Sequence, residues 1–147
     1  MDTILFLESD SATRAKIVSD IEEQALDVRP LFATSFHDAR DVLKKETPDF
    51  IIANPQADGN FSGEKEGGID LLDSNYDEVP FAFYGTMPAD DVKDLIINRD
   101  LSSLTYRIFT KDTELKDVLQ VLKTGTAQAN LPEPSNSNFP ETKKSFG

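Results

Sequence analysis

The chain contains no cysteine and a single histidine, His37. Thiolate zinc sites, iron–sulfur clusters and disulfide frameworks are thereby excluded, as are His-rich metal sites and a Ser-His-Asp triad with a spare base. Basic residues are scarce: 15 Lys and Arg stand against 27 Asp and Glu, a formal net charge of −12. Phosphate contacts need clustered Lys and Arg, so neither nucleic acid nor an anionic membrane surface is an expected partner. No apolar run approaches the roughly 18 residues of a membrane span. The N-terminus carries no basic stretch followed by an apolar one, so a secretion signal is not expected. G-x-G-x-x-G and P-loop patterns are also missing, which leaves nucleotide binding without support. These absences lead to the expectation of a cytoplasmic chain that does not insert into membranes.

What is present suffices for one folded unit. A chain of 147 residues, 38% of them apolar, is long enough to bury a core without covalent staples. The charge is unevenly placed. From Gln128 to Gly147 the acids Glu133 and Glu141 balance Lys143 and Lys144, so the excess lies in residues 1–127. Between Asp58 and Glu78 stand Asp58, Glu64, Glu66, Asp70, Asp73, Asp77 and Glu78 against Lys65 alone, half of the net charge. Such a run reads first as a solvated face and second as a surface for a basic partner.

Apolar strand-like runs alternate with helical periodicity. Thr3–Leu7 (TILFL) is a strand, and Ser11 is the expected N-cap of a helix carrying Ala15, Ile17, Val18 and Ile21. Val28–Phe32 is a second strand, demoted to an edge by Pro30. Ser35 opens a helix through Phe36, Ala39, Val42 and Leu43 that ends before Pro48. Phe50–Ala53 (FIIA) is wholly apolar, as a strand covered on both faces must be. A Gly-rich connection, Asn54–Gly68, leads to a short helix with Ile69, Leu71 and Leu72. Val79–Tyr84 is a fourth strand, Pro88 opens an acidic fourth helix, and Tyr106–Phe109 is a fifth strand. The fifth helix starts near Asp112, with Leu115, Val118, Leu119 and Leu122 at helical spacing. From Gly125 the periodicity stops in a segment rich in Pro, Ser and Asn, expected to be a disordered tail or linker over residues 125–147. The expected fold is (βα)5: a doubly wound five-stranded parallel sheet of flavodoxin-like order 2-1-3-4-5 over residues 1–124. Its functional crevice lies beyond the carboxyl ends of the strands, at residues 8–11, 54–58, 85–87 and 109–111.

These positions resemble the receiver domain of two-component response regulators. The opening Ile4-Leu5-Phe6-Leu7-Glu8-Ser9-Asp10, with Arg14 following, is similar to the family's ILxVDDxxxxR. Pro48-Asp49-Phe50-Ile51-Ile52-Ala53-Asn54 resembles its PDxxxxD third strand. Gly68-Ile69-Asp70-Leu71-Leu72, Val79-Pro80-Phe81-Ala82-Phe83-Tyr84 and Tyr106-Arg107-Ile108-Phe109 follow in the family's order. The resemblance implies a phosphoryl-accepting Asp after the third strand, Mg²⁺ held by carboxylates after the first, a Thr or Ser after the fourth and a Lys after the fifth. Here Asn54 stands at the acceptor position, and a carboxamide cannot form an acyl phosphate. Glu8 and Ser9 stand at the metal positions, with Asp10 next to them. Gly85 occupies the Thr/Ser position with Thr86 beside it. Phe109 falls at the Lys position when Tyr106 is aligned, and Lys111 only if the strand shifts by two residues. Phe109 is then expected to fill the crevice with a ring.

The expectation is a degenerate receiver, or pseudo-receiver: not an enzyme, without cofactor or bound metal, and a phosphorylation-independent protein-interaction module of a bacterial signalling or localisation system. Its interaction face would be the fourth helix, fifth strand and fifth helix, with Asp91, Lys93, Tyr106, Arg107 and Lys116, open to a protein partner or a second copy. The acidic loop with Asp58, Glu64 and Glu66 is a second surface, suited to a basic partner. The alternatives are a receiver still phosphorylated on a neighbouring Asp (Asp10 or Asp58) and a small-ligand sensor using the vacated pocket. Weaker patterns carry little. Asp58–Gly63 resembles the start of an EF-hand loop, but its twelfth position is Ile69 rather than Glu. Glu8-Ser9-Asp10 is similar to a DxD nucleophile motif whose first residue must be Asp. Asn60-Phe61-Ser62 is a glycosylation sequon with no secretion signal to expose it. His37, at a helix start, reads as a surface histidine.

Overall fold

A computed structural model of the chain describes residues 1–59, 65–75 and 78–124. Ten elements alternate along it: β1 (Asp2–Leu7), α1 (Ser11–Glu23), β2 (Val28–Ala33), α2 (Phe36–Lys45), β3 (Phe50–Ala53), α3 (Gly67–Asn75), β4 (Phe81–Gly85), α4 (Ala89–Asn98), β5 (Arg107–Thr110) and α5 (Leu115–Thr124). The strands are all parallel, in the order β2-β1-β3-β4-β5, as the alternation of strand and helix signals predicts. The expected tail over residues 125–147 lies outside the described residues.

Side-chain alternation sorts the core into two layers. Leu5, Leu7, Ile51, Ala53, Phe81, Phe83 and Ile108 pack with Phe36 and Ala39 of α2, Ile69, Leu71 and Leu72 of α3, and Val92 and Ile96 of α4. Ile4, Phe6, Ile52, Ala82 and Phe109 face the other way, onto Ile17 and Ile21 of α1 and Leu115, Val118, Leu119 and Leu122 of α5. A strand buried on both faces cannot alternate apolar with polar residues, which explains the unbroken apolar runs of β1 and β3. Pro30 is accommodated because β2 is an edge strand paired only with β1.

Local chemistry sets the helix starts. Ser35 caps α2 by accepting from the Asp38 amide at 3.1 Å, while the Asp38 carboxylate accepts from the Thr34 amide at 2.9 Å. The cap of α1 is Asp10 rather than Ser11: its carboxylate accepts from the Thr13 amide at 2.9 Å and the Thr13 hydroxyl at 2.7 Å. Asp and Ser are comparable caps, so either satisfies the same sequence signal, and a carboxylate is also favoured by the positive end of the helix. The fifth helix begins at Leu115, three residues later than expected, because Lys111–Thr113 turn off the end of β5 first.

Candidate functional site

At the carboxyl end of the sheet, three side chains from three elements meet. Glu8 follows β1, Asn54 follows β3, and Lys111 follows β5. The Asn54 carboxamide nitrogen donates to both carboxylate oxygens of Glu8, at 3.1 and 3.2 Å. Its oxygen accepts from the Gln56 backbone amide at 2.9 Å, so both ends of the amide are engaged. Glu8 is only 4% exposed, accepts from the Asp10 amide at 3.1 Å, and faces the Lys111 ammonium at 3.9 Å. Lys111 also donates to the Thr13 hydroxyl at 3.2 Å, and Arg14 donates to the Glu8 carbonyl at 2.8 Å. A buried carboxylate is tolerable only with such partners. The polar groups of Glu8, Asn54 and Lys111 thus satisfy one another within the crevice.

Ser9 ties the neighbouring loops together. Its hydroxyl donates to the Thr34 carbonyl and accepts from the Asp58 amide at 2.8 Å. The Asp58 carbonyl in turn accepts from the Phe36 amide at 2.8 Å. Residues 54–58, after β3, are therefore docked against the loops that follow β1 and β2. Asp10 points to Thr13, and hydrogen bonds from the Thr13 side chain and backbone hold its carboxyl below the ordinary range, helped by the charges of Lys111 and Arg14.

The residues do not fit a resident Mg²⁺. That ion demands a near-octahedral set of oxygens. Both Glu8 oxygens already accept from an amide, Asp10 is spent on its cap, Ser9 is spent on two backbone groups, and an ammonium faces Glu8. Among the described residues, no cluster of three or more His, Cys, Asp or Glu side chains is positioned to hold a metal.

Two residues placed in the crevice or on the surface by sequence sit elsewhere. Phe109 is 5% exposed in the core layer under α5, and the crevice is reached by Lys111 instead. Positions 109 and 111 share a facing, since strand side chains alternate with period two. The shorter residue therefore packs in the sheet and the longer one, just beyond the strand, reaches Glu8. Arg107 is completely buried rather than part of an exposed face, on the same rung as Ala82 of β4. Asp91, Lys93 and Lys116 are exposed. Tyr106 is 3% exposed, with its ring 6.2 Å from Phe83 in an edge-to-face arrangement, and burial raises its phenol pKa. Gly85 lies against Asn54: a Cβ there would sit 3.0 Å from the carboxamide oxygen. Thr86 is exposed beside it. In the acidic segment, Asp58 is paired with Lys65, and Glu66 with Arg99 at 3.1 Å. Glu64 lies outside the described residues. His37 is exposed at the start of α2.

Sequence reasoning did not find Thr13 and Arg14 as members of the site, nor the groove beside them. That groove, about 150 Å³, is lined by Lys16, Asp20, Tyr84, Lys111 and Glu114 among others. The Tyr84 hydroxyl donates to the Thr113 carbonyl at 2.8 Å. Burial first, then the charges of Asp20 and Glu114, push its pKa up to about 12. Tyr84 thus keeps its proton in the folded state where the unfolded chain, near pH 10, loses it. The folded state binds more protons across that window, so stability falls as pH rises from about 10 to 12. In a Tyr84→Phe variant, alkaline unfolding followed by circular dichroism is expected to lose part of this slope. An unchanged slope contradicts the assignment.

No family model matches the chain, and a search of curated proteins likewise finds no match. Solved structures do match. The BeF₃⁻-activated receiver domain of RstA from Klebsiella pneumoniae is 18% identical, with a TM-score of 0.64 over 86% of this chain and 100% of that one. A LuxR-family DNA-binding response regulator from Staphylococcus aureus is 12% identical, with a TM-score of 0.64 over 84% and 98%. Chemotaxis protein CheY4 from Vibrio cholerae is 15% identical, with a TM-score of 0.60 over 84% and 98%. The chain has the fold of response-regulator receiver domains, in agreement with the resemblance of its motifs.

Proposed function

We propose that this chain is a receiver-like module that works by binding a protein, without accepting a phosphoryl group and without catalysing a reaction. The observation that carries the reading is the Asn54 carboxamide, held at the end of β3 by Glu8 on one side and the Gln56 amide on the other. It is not a nucleophile, and the carboxylate that would help hold Mg²⁺ is occupied by its amide. Of the neighbouring acids, Asp10 is committed to capping α1 and Asp58 is paired with Lys65, which supports the reading without a replacement acceptor. With Gly85 in place of a hydroxyl residue and Tyr106 buried, the surface of α4, β5 and α5 is set in one arrangement. Its exposed Asp91, Lys93 and Lys116 suit a protein partner or a second copy of the chain. A bacterial signalling role in the cytoplasm is the setting in which this fold and surface make sense.

The test is the effect of a phosphodonor on binding. Self-association by sedimentation, and affinity for a purified partner, are expected to be the same before and after treatment with acetyl phosphate and Mg²⁺. A combined Lys93→Glu and Lys116→Glu variant is expected to weaken binding at least tenfold while keeping the same far-UV spectrum. Binding that changes with the phosphodonor overturns the proposal.

A further inference from the structure

The connection after β3 and the end of α4 are distant in sequence yet joined by one side chain. Arg99 follows the last turn of α4. Its Nη1 donates to Glu66 at 3.1 Å and its Nη2 to Asp70 at 2.6 Å. Asp70 is 8% exposed, so this pairing is partly withdrawn from water, unlike the exposed pairs elsewhere on the surface. The Arg99 backbone is also fixed. Its amide bonds to the Leu95 carbonyl at 3.1 Å, and the next residue, Asp100, adopts a left-handed φ of 59°. The Leu101 amide then bonds back to Ile96 at 3.0 Å, closing the helix in a Schellman-like turn.

On the other side, Glu66 immediately precedes α3 and Asp70 lies in its first turn, which is pressed onto residues 54–58. The Gly67 amide bonds to the Ala57 carbonyl at 2.7 Å. A Cβ at Gly67 would lie 2.2 Å from the Asp58 carbonyl oxygen, and one at Gly68 would lie 2.5 Å from that of Asn54. A continuous path of direct contacts therefore runs from residues 54–58 through Glu66 and the first turn of α3 to Arg99 and α4. This path does not pass through Gly85, Thr86 or Tyr106.

We infer that Arg99 is a positioning residue that joins the start of α3, with the residues 54–58 it packs on, and the end of α4 into one cooperative unit, so that a partner bound to either segment biases the other. The inference rests on contacts alone and stands whether or not α4 belongs to the interaction face of the proposed function. Both segments must then open together.

Native-state hydrogen exchange on the full chain tests this. Amides of the first turn of α3 and the last turn of α4 are expected to exchange with a common denaturant dependence. Arg99→Gln is expected to raise exchange roughly tenfold in both segments and to separate their denaturant dependences. Glu66→Gln, which removes the charge from one of the two contacts on the opposite side, is expected to move the same two segments by a smaller factor, and it serves if Arg99→Gln does not fold. Arg99→Lys is expected to restore part of the protection. Faster exchange confined to α4, or no change in α3, overturns the inference.

Discussion

Gly68→Ala is expected to lower the unfolding free energy by about 3 kcal/mol and the melting temperature by about 10 °C. Two effects of opposite sign compete at this position. Gly68 lies inside α3, where replacing glycine by alanine in an open helix contributes about 1 kcal/mol of stability. The added Cβ, however, would stand 2.5 Å from the Asn54 carbonyl oxygen and 2.7 Å from the Pro55 Cα. Both are backbone atoms of a connection already anchored by the Ser9 hydroxyl and the Phe36 amide, so neither can yield cheaply. Overpacking wins, and α3 must draw away from the loop. Gly85→Ala provides the graded control. Its Cβ would meet a side-chain oxygen at 3.0 Å, which can move if Asn54 gives up its bond to Gln56. A loss of about 1 kcal/mol is expected there. Urea unfolding of the two variants checks the order. A Gly68→Ala variant as stable as the parent contradicts the close docking of α3.

Asn54→Asp is the second large change, and its effect is expected to depend on pH. The substitution replaces an amide that donates to Glu8 at 3.1 and 3.2 Å with a carboxylate facing a carboxylate in a nearly closed site. Lys111 at 3.9 Å offsets part of the repulsion but pairs with only one of the two acids. The expected cost is roughly 2–3 kcal/mol at neutral pH. One carboxyl of the pair then holds its proton above the ordinary range near pH 4. In that window the folded state binds more protons than the unfolded one, so the stability of the variant falls as pH rises. Variant and parent are expected to converge near pH 4 and to diverge by pH 7 in urea titrations. A gap that does not vary with pH contradicts the arrangement of Glu8 against Asn54.

Much of this fold is legible because single residues dictate local geometry. Pro30 belongs at an edge, Ser35 at a helix start, and the apolar run Phe50–Ala53 in a strand covered on both sides. The end of β5 is less legible. Alternation gives Phe109 and Lys111 the same facing, and only the position where the strand stops decides which of them reaches the crevice. A sequence shows that stop poorly, because strand ends are set by the neighbouring strand: here Gly85 pairs with Thr110 and its carbonyl accepts from the Lys111 amide. Arg107 fails for a related reason. Its charge suggests solvent, while its burial follows from helices packed over an edge strand, which no local pattern encodes. The network around Ser9 was equally hidden, since its partners Thr34 and Asp58 lie 25 and 49 residues away. Asn54 was legible as an amide at an acceptor position, but not as the donor that occupies Glu8.

The most direct measurement is amide NMR of the intact chain during titration with beryllofluoride and Mg²⁺, which together mimic a phosphorylated receiver. A site in which Glu8, Asn54 and Lys111 satisfy one another predicts no shift changes beyond those of salt at Glu8, Asn54, Thr86 and Lys111, and none across α4 and β5. Large, saturable shifts at those residues would contradict the account, because they would mean that the crevice opens, takes a cation and still reads a phosphoryl group.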